Sequence, residues 1–221
     1  MKPYQIVAYP RTGSTYLTFI NHKYNLQNNI PTENVHEFFL SRYQLNDDWY
    51  DLDMDRDWRI TDESVVTDKI KFLFKTKNHF SLKFIPETIN PRFHYDIFTY
   101  LQDYDIITIN RNPFDAFLSY VYQVKTNWKQ SHGGSTPLLD NLNVNRFDII
   151  GYLNTWRVNK FFIDSCEIRH TFNYDTLAEE AQDFFGIDTN VDINPMKIDY
   201  RTLVDNNVEQ MFYDEYETID D

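Results

Sequence analysis

Gln5-Ile6-Val7-Ala8-Tyr9-Pro10-Arg11-Thr12-Gly13-Ser14-Thr15-Tyr16-Leu17 decides the fold. Residues 5–9 are a short apolar run suited to a buried strand. Tyr16, Leu17, Phe19, Ile20 and Tyr24 then recur at the spacing of a helix face. The unit is strand, tight loop, helix. A helix N-terminus presents N–H groups without intrahelical partners and a partial positive charge, so it attracts phosphate. Gly13 lets the backbone approach closely and take φ > 0, Ser14 and Thr15 add hydroxyls, and Arg11 adds a fixed cation. The Gly-Lys-[Ser/Thr] ending of an ATP- or GTP-binding Walker loop is missing.

The same pattern recurs downstream. Residues 106–110, Ile-Ile-Thr-Ile-Asn, form a β-branched run typical of a strand buried on both faces. Arg111 ends it, and Asn112-Pro113 opens a helix with Asn as N-cap and Pro at the first position. Apolar residues at 114, 117, 118, 121 and 124 carry that helix to about Lys125. Arg111, Asp115 and Ser119 recur every four residues, which predicts one shared face. On that face Arg111 can fork onto a phosphate, Ser119 can donate to the same group, and Asp115 can orient Arg111.

Further strands are expected at 34–40, 80–85 and 168–172. Helices are expected at 91–101, 147–164, 176–185 (closed by Gly186) and near 204–213. Residues 45–68 read as an irregular acidic insertion with short helical pieces, and 127–145 as a loop that can serve as a lid. Strands alternating with helices predict one α/β domain, a central parallel sheet flanked by helices in three layers, over residues 1–213. An acidic tail at 214–221 is expected to fray. Ligands in such sheets bind at the carboxyl ends of strands, where Arg11 and Arg111 stand.

Composition narrows the partners. A net charge of −13 over 221 residues repels nucleic acid and anionic membranes, so a polyanionic small molecule needs a few local cations and backbone donors. The single cysteine, Cys166, excludes an internal disulfide, argues against a Cys-based metal site and agrees with a cytoplasmic location. The apolar stretch 6–9 is too short for a signal or membrane segment. Scarce Gly with plentiful Asn, Tyr and Phe agrees with an AT-rich coding genome, such as that of a virus acting in a host cytoplasm. Asp51, Asp53, Asp55 and Asp57 suggest calcium, but Arg56 and Asp62 stand where an EF-hand loop needs Gly and Glu, so no metal is expected.

Pro10 through Thr15 resembles the 5′-phosphosulfate loop of the cytosolic and Golgi sulfotransferases, Pro-[Lys/Arg]-[Ser/Thr]-Gly-[Ser/Thr]-Thr, at every position. The strand ending in Arg111, with Ser119 eight residues on, resembles that family's 3′-phosphate motif. Tyr174-Asp175-Thr176-Leu177 is similar to its Tyr-Glu-Asp-Leu segment, and Phe184-Phe185-Gly186-Ile187 to its Phe-Leu-Gly-Ile helix end. The resemblance implies a P-loop-like sulfotransferase fold and transfer of the sulfuryl group of 3′-phosphoadenosine-5′-phosphosulfate (PAPS), leaving 3′,5′-ADP (PAP), to an acceptor hydroxyl or amine. It implies that Arg11, Thr12, Gly13, Ser14 and Thr15 hold the 5′ end and that Arg111 and Ser119 hold the 3′-phosphate. Tyr16 and Tyr174 then line the adenine site. The Arg-Lys-Gly clamp of the cytosolic enzymes is absent, and Lys197 is its nearest substitute.

Resemblance further implies that Lys83, with Arg11, stabilises the leaving phosphate. Ile85 stands where cytosolic members have a catalytic His. Other members use a Glu on the strand after the first helix, and Glu37 between His36 and Phe38-Phe39 matches that style. Desolvation by the phenylalanines would raise its pKa toward a useful value. His36 would point to the opposite side of an extended segment. The resemblance fades over 41–80 and 127–150, and neither acceptor nor oligomeric state is readable. The alternatives are a kinase-like P-loop protein and a nucleotide-binding protein without catalysis.

Overall fold

The computed structural model describes residues 2–30, 33–35, 44–45, 48–49, 63–76, 80–126, 139–187 and 198–219. Its strands are β1 (Gln5–Val7), β2 (Glu33–Val35), β3 (Gln44–Leu45), β4 (Asp48–Trp49), β5 (Phe80–Phe84), β6 (Ile106–Asn110) and β7 (Ile168–Asn173). Its α-helices are α1 (Ser14–Gln27), α2 (Glu63–Lys75), α3 (His94–Leu101), α4 (Pro113–Thr126), α5 (Arg146–Asp164), α6 (Leu177–Phe185) and α7 (Asn207–Tyr216). β3 and β4 pair antiparallel as a small ribbon. The other strands form one parallel sheet in the order β2-β5-β1-β6-β7.

Alternation along the central strands builds both faces of a single α/β domain. Ile6 and Ala8 of the β1 segment, with Ile107 and Ile109 of β6 and Phe172 of β7, pack under α1 and α6. Val7, Leu82, Phe84 and Ile106 face the other way, toward α2, α3 and the end of α5. Both sides of β1 and β6 are covered, so their sequences show no polar alternation. A third cluster joins α4, α5 and α7 through Phe114, Phe117, Tyr152, Trp156 and Phe212. Among the described residues, no helix is long and apolar enough to cross a membrane.

Several elements differ from expectation. α2 begins inside the stretch read as acidic insertion, at 63–68, and runs on to Lys75, because Val66, Ile70 and Leu73 recur at helical spacing and are buried. The strand expected over 34–40 is described as Glu33–Val35. The final helix begins at Asn207, after a 3-10 turn at Tyr200–Leu203. The acidic end expected to fray is helical through Tyr216, with a further 3-10 turn at Glu217–Ile219. It is held by Tyr216 packing on Trp156 and Phe212, and by Arg146 and Arg157, which bind Glu215 and the Thr218 carbonyl.

The strand order sets the site. The chain leaves β1 for β2 and β5 on one side, then crosses to β6 and β7 on the other. Connections therefore diverge between β1 and β6, and a crevice opens at the carboxyl ends of those two strands.

Candidate functional site at the switch point

The turn after β1 is strained where it meets the crevice. Arg11 has φ 61° and Gly13 φ 82°, both in the left-handed region. Such a φ is uncommon in a residue with a side chain, and such residues cluster at ligand-holding turns. Thr12 is fully buried, and its hydroxyl donates to the Tyr9 carbonyl at 2.9 Å. That hydroxyl therefore fixes the turn from inside.

Gly13 is the N-cap of α1, makes no side-chain cap and is followed by no acid in the first turn. By contrast, the Asn112 side chain accepts from the N–H groups of Phe114 and Asp115 at the start of α4. α5 starts with a full capping box between Asn145 and Asp148. α1 thus presents its positive end to the crevice without a side-chain acceptor or a neutralising carboxylate.

Both arginines converge here. Arg11 Nε donates to Ser119 Oγ at 3.1 Å, and Arg111 Nη1 donates to the Arg11 carbonyl at 2.5 Å. The Arg111 guanidinium carbon lies 4.0 Å from the centre of the Tyr174 ring, while its Nε is buried with no hydrogen-bond partner. The Tyr174 ring also covers Gly13: a Cβ there would sit 3.1 Å from Tyr174 Cδ2 and Cε2. Tyr174 is fixed by its own N–H, which donates to the Asn110 carbonyl at 2.9 Å. Burial pushes the Arg11 pKa down; the nearby Tyr200 phenol opposes this, and the nearby Arg111 charge reinforces it.

Lys83 reaches the same loop from β5. It is buried, with Nζ donating to Thr15 Oγ1 at 3.2 Å. Ser14 is buried and its carbonyl accepts from Thr18 Oγ1 at 2.7 Å. Tyr16 is half-buried against the α1–α6 cluster, as is Tyr174. Glu37, Lys197, His36, His79, His132, the 51–57 acids and Gly133-Gly134 lie outside the described residues.

Two expected pairings are corrected. Arg111 precedes α4, so the four-residue helical spacing does not extend back to it, and Ser119 meets Arg11. Asp115 does not orient Arg111: its Oδ1 accepts from Arg201 Nε at 2.7 Å, and Arg201 Nη1 also donates to Glu209 at 2.8 Å. That clasp holds the Tyr200–Leu203 turn on α4 and brings Tyr200 to Arg11. Sequence reading missed Tyr200 and Arg201. The available signal was a second cation four residues beyond Lys197.

His94 is structural: its Nε2 lies 3.0 Å from the Pro86 carbonyl, and burial lowers its pKa. Among the described residues, no group of three or more His, Cys, Asp or Glu is placed to hold a metal ion. Comparisons with protein-family models, curated proteins and solved structures find no match for the chain.

The arrangement can bind an anion. It joins an uncapped helix start, two guanidinium groups, a buried lysine and an aromatic ring at one strand-end crevice.

Proposed function

We propose that the protein is a PAPS-dependent sulfotransferase acting on a hydroxyl or amine acceptor. The observation that carries this reading is the meeting of Arg11 and Arg111 from the turns after β1 and β6, beside the uncapped start of α1. A nucleotide with phosphate groups at both ends needs a cation for each, and the turns after β1 and β6 each carry one arginine to the switch point.

In this reading the α1 N-terminus, Gly13, Ser14 and Thr15 hold the 5′-phosphosulfate, and Arg11 and Lys83 take up charge on the leaving phosphate. Arg111 holds the 3′-phosphate, and Ser119 joins it once phosphate takes its place on Arg11; the buried Arg111 Nε lacks a partner, and a phosphate oxygen satisfies such a donor. Tyr174 borders the adenine, and Lys197 keeps its expected role as clamp. The reaction is expected to proceed without metal in the cytoplasm.

Thermal stabilisation without metal tests donor recognition. PAP at a hundred times its Kd should stabilise the fold by about 2.7 kcal/mol. For a chain of this size that is a shift of roughly 5–10 °C. AMP and ATP at the same concentration should give much less. Equal shifts with all three, or none with PAP, would refute the reading. Transfer from labelled PAPS, abolished in Arg11→Ala, separates an enzyme from a binding protein.

A further inference from the structure

A second set of polar groups lies on the α5 side of the crevice and is not used by the donor site. Glu87 follows β5 in the 3-10 turn Pro86–Thr88. Asn159 of α5 is fully buried and gives both ends of its amide to Glu87. Nδ2 donates to Glu87 Oε2 at 2.7 Å, and Oδ1 accepts from the Glu87 N–H at 3.0 Å. From α3, His94 Nε2 sits 3.0 Å from the Pro86 carbonyl, so the turn is held from two helices. The carboxylate itself is only half-buried.

Tyr152 and Trp156 precede Asn159 by seven and three residues, on the same face of α5. They are 1% and 5% exposed, yet Tyr152 Oη and Trp156 Nε1 have no hydrogen-bond partner. Tyr9, the residue before the phosphate loop, stacks on Trp156 at 3.9 Å between ring centres. Burial raises the Tyr152 pKa; the Glu87 charge adds to this and the Arg111 charge opposes it. Two buried donors lacking acceptors, beside a carboxylate that a buried amide holds in place, are the parts of a site for a hydroxyl group. Such a group accepts hydrogen bonds through its oxygen and gives up its proton.

Resting on the sulfotransferase reading, we infer that the crevice between Glu87, Tyr152 and Trp156 receives the acceptor hydroxyl, and that Glu87 is the residue that takes its proton. The acceptor O–H proton passes to the Glu87 carboxylate while the acceptor oxygen bonds to sulfur. The bond between sulfur and the 5′-phosphate oxygen breaks, and its electron pair leaves with PAP. Protonated Glu87 then returns its proton to water. The acceptor is a neutral hydroxyl compound, because a carboxylate in a chain of net charge −13 repels anions.

The test measures PAP binding first and turnover second. Labelled PAPS is offered with 2-naphthol, with methyl glucoside and with water alone, so that a phenol, a sugar and bare hydrolysis are distinguished. Glu87→Gln preserves the acceptor oxygen that Asn159 uses. It should bind PAP as the wild type does and lose about 100-fold or more in PAP release. Formate should restore part of the rate in Glu87→Ala, an effect that a structural role would not give. Wild-type turnover in Glu87→Gln overturns the inference, as does loss of folding or PAP binding in that variant. So does a wild type that binds PAP but releases none from PAPS; in that case donor recognition still stands. A wild type that fails to bind PAP instead refutes the sulfotransferase reading on which the inference rests.

Discussion

Three glycine-to-alanine variants separate the forces that shape the phosphate-facing turn. At Gly13, φ is +82°, and an added Cβ would lie 3.1 Å from two atoms of the Tyr174 ring and 3.2 Å from Leu177 Cδ2. Left-handed backbone costs a residue with a Cβ about 1–2 kcal/mol. Crowding against a packed ring and a buried leucine adds roughly 1 kcal/mol or more. Reduced freedom of the unfolded chain returns about 0.4–1 kcal/mol. The net loss for Gly13→Ala is therefore about 1.5–2.5 kcal/mol. Gly186, the C-cap of α6, has φ +62° but nothing within 4 Å of an added Cβ. Gly186→Ala then carries the backbone cost alone, about 0.5–1 kcal/mol net. Gly151 lies inside α5 with open space around a Cβ, so Gly151→Ala should stabilise by about 0.5–1 kcal/mol. Urea denaturation of the three variants gives the order directly. A Gly13→Ala loss no larger than that of Gly186→Ala would refute the contact of Tyr174 and Leu177 with the turn, and with it the close approach of β7 and α6 to the phosphate loop.

Two further outcomes follow from charged groups away from the crevice. Lys69 on α2 is fully buried, and burial lowers its pKa from 10.5 to about 8. The unfolded chain thus binds more protons between about pH 8 and 10, so stability should rise with pH across that window, by an amount on the order of 3 kcal/mol at most. Above pH 10 the trend should reverse, because burial keeps Tyr100 and Tyr152 neutral while the unfolded tyrosines ionise. Lys69→Met should flatten the rising limb in urea titrations at stepped pH, and an unchanged limb would assign the rise elsewhere. The Arg201 clasp joins partly exposed groups, with side-chain exposures of 44% for Arg201, 35% for Asp115 and 45% for Glu209. A double-mutant cycle on Arg201 and Asp115 should therefore give a coupling below about 1 kcal/mol, falling with salt; a coupling above 2 kcal/mol would contradict this solvated picture.

The two strand–turn–helix units were legible because local physics wrote them. Ile6 to Ala8 and Ile106 to Ile109 are apolar on both faces of the sheet, and Asn112-Pro113 spells a helix start before any tertiary contact is known. α2 was hidden because its first turns, with Glu63 and Asp68, continue the acidic stretch before them, although Val66, Ile70 and Leu73 keep helical spacing. The partners of Asp115 and Glu87 could not be read. Arg201 is 86 residues from Asp115 and Asn159 is 72 residues from Glu87, and no periodicity spans such distances. The face assigned to Arg111, Asp115 and Ser119 failed for a related reason. The four-residue rule holds only within a helix, and Arg111 belongs to the strand end.

The geometry of the arginine pair explains how an acidic chain can still receive a polyanion. Each arginine carries about 2 kcal/mol of rotamer entropy. Here both are ordered by the fold itself, Arg11 through Ser119 and Tyr200, and Arg111 through the Arg11 carbonyl and the Tyr174 ring. Their ordering cost therefore belongs to folding and does not weaken binding. The partners they hold are neutral, and a phosphate oxygen is a stronger acceptor than a serine hydroxyl for a guanidinium donor. Exchanging Ser119 for phosphate on Arg11 is favourable for that reason. A carboxylate partner would have had to be displaced against its own charge. Asp115, the nearest acid in the sequence motif, is bound instead by Arg201. Removing that clasp while keeping Asp115 should therefore weaken PAP more than it weakens the fold, since a released carboxylate competes for Arg111.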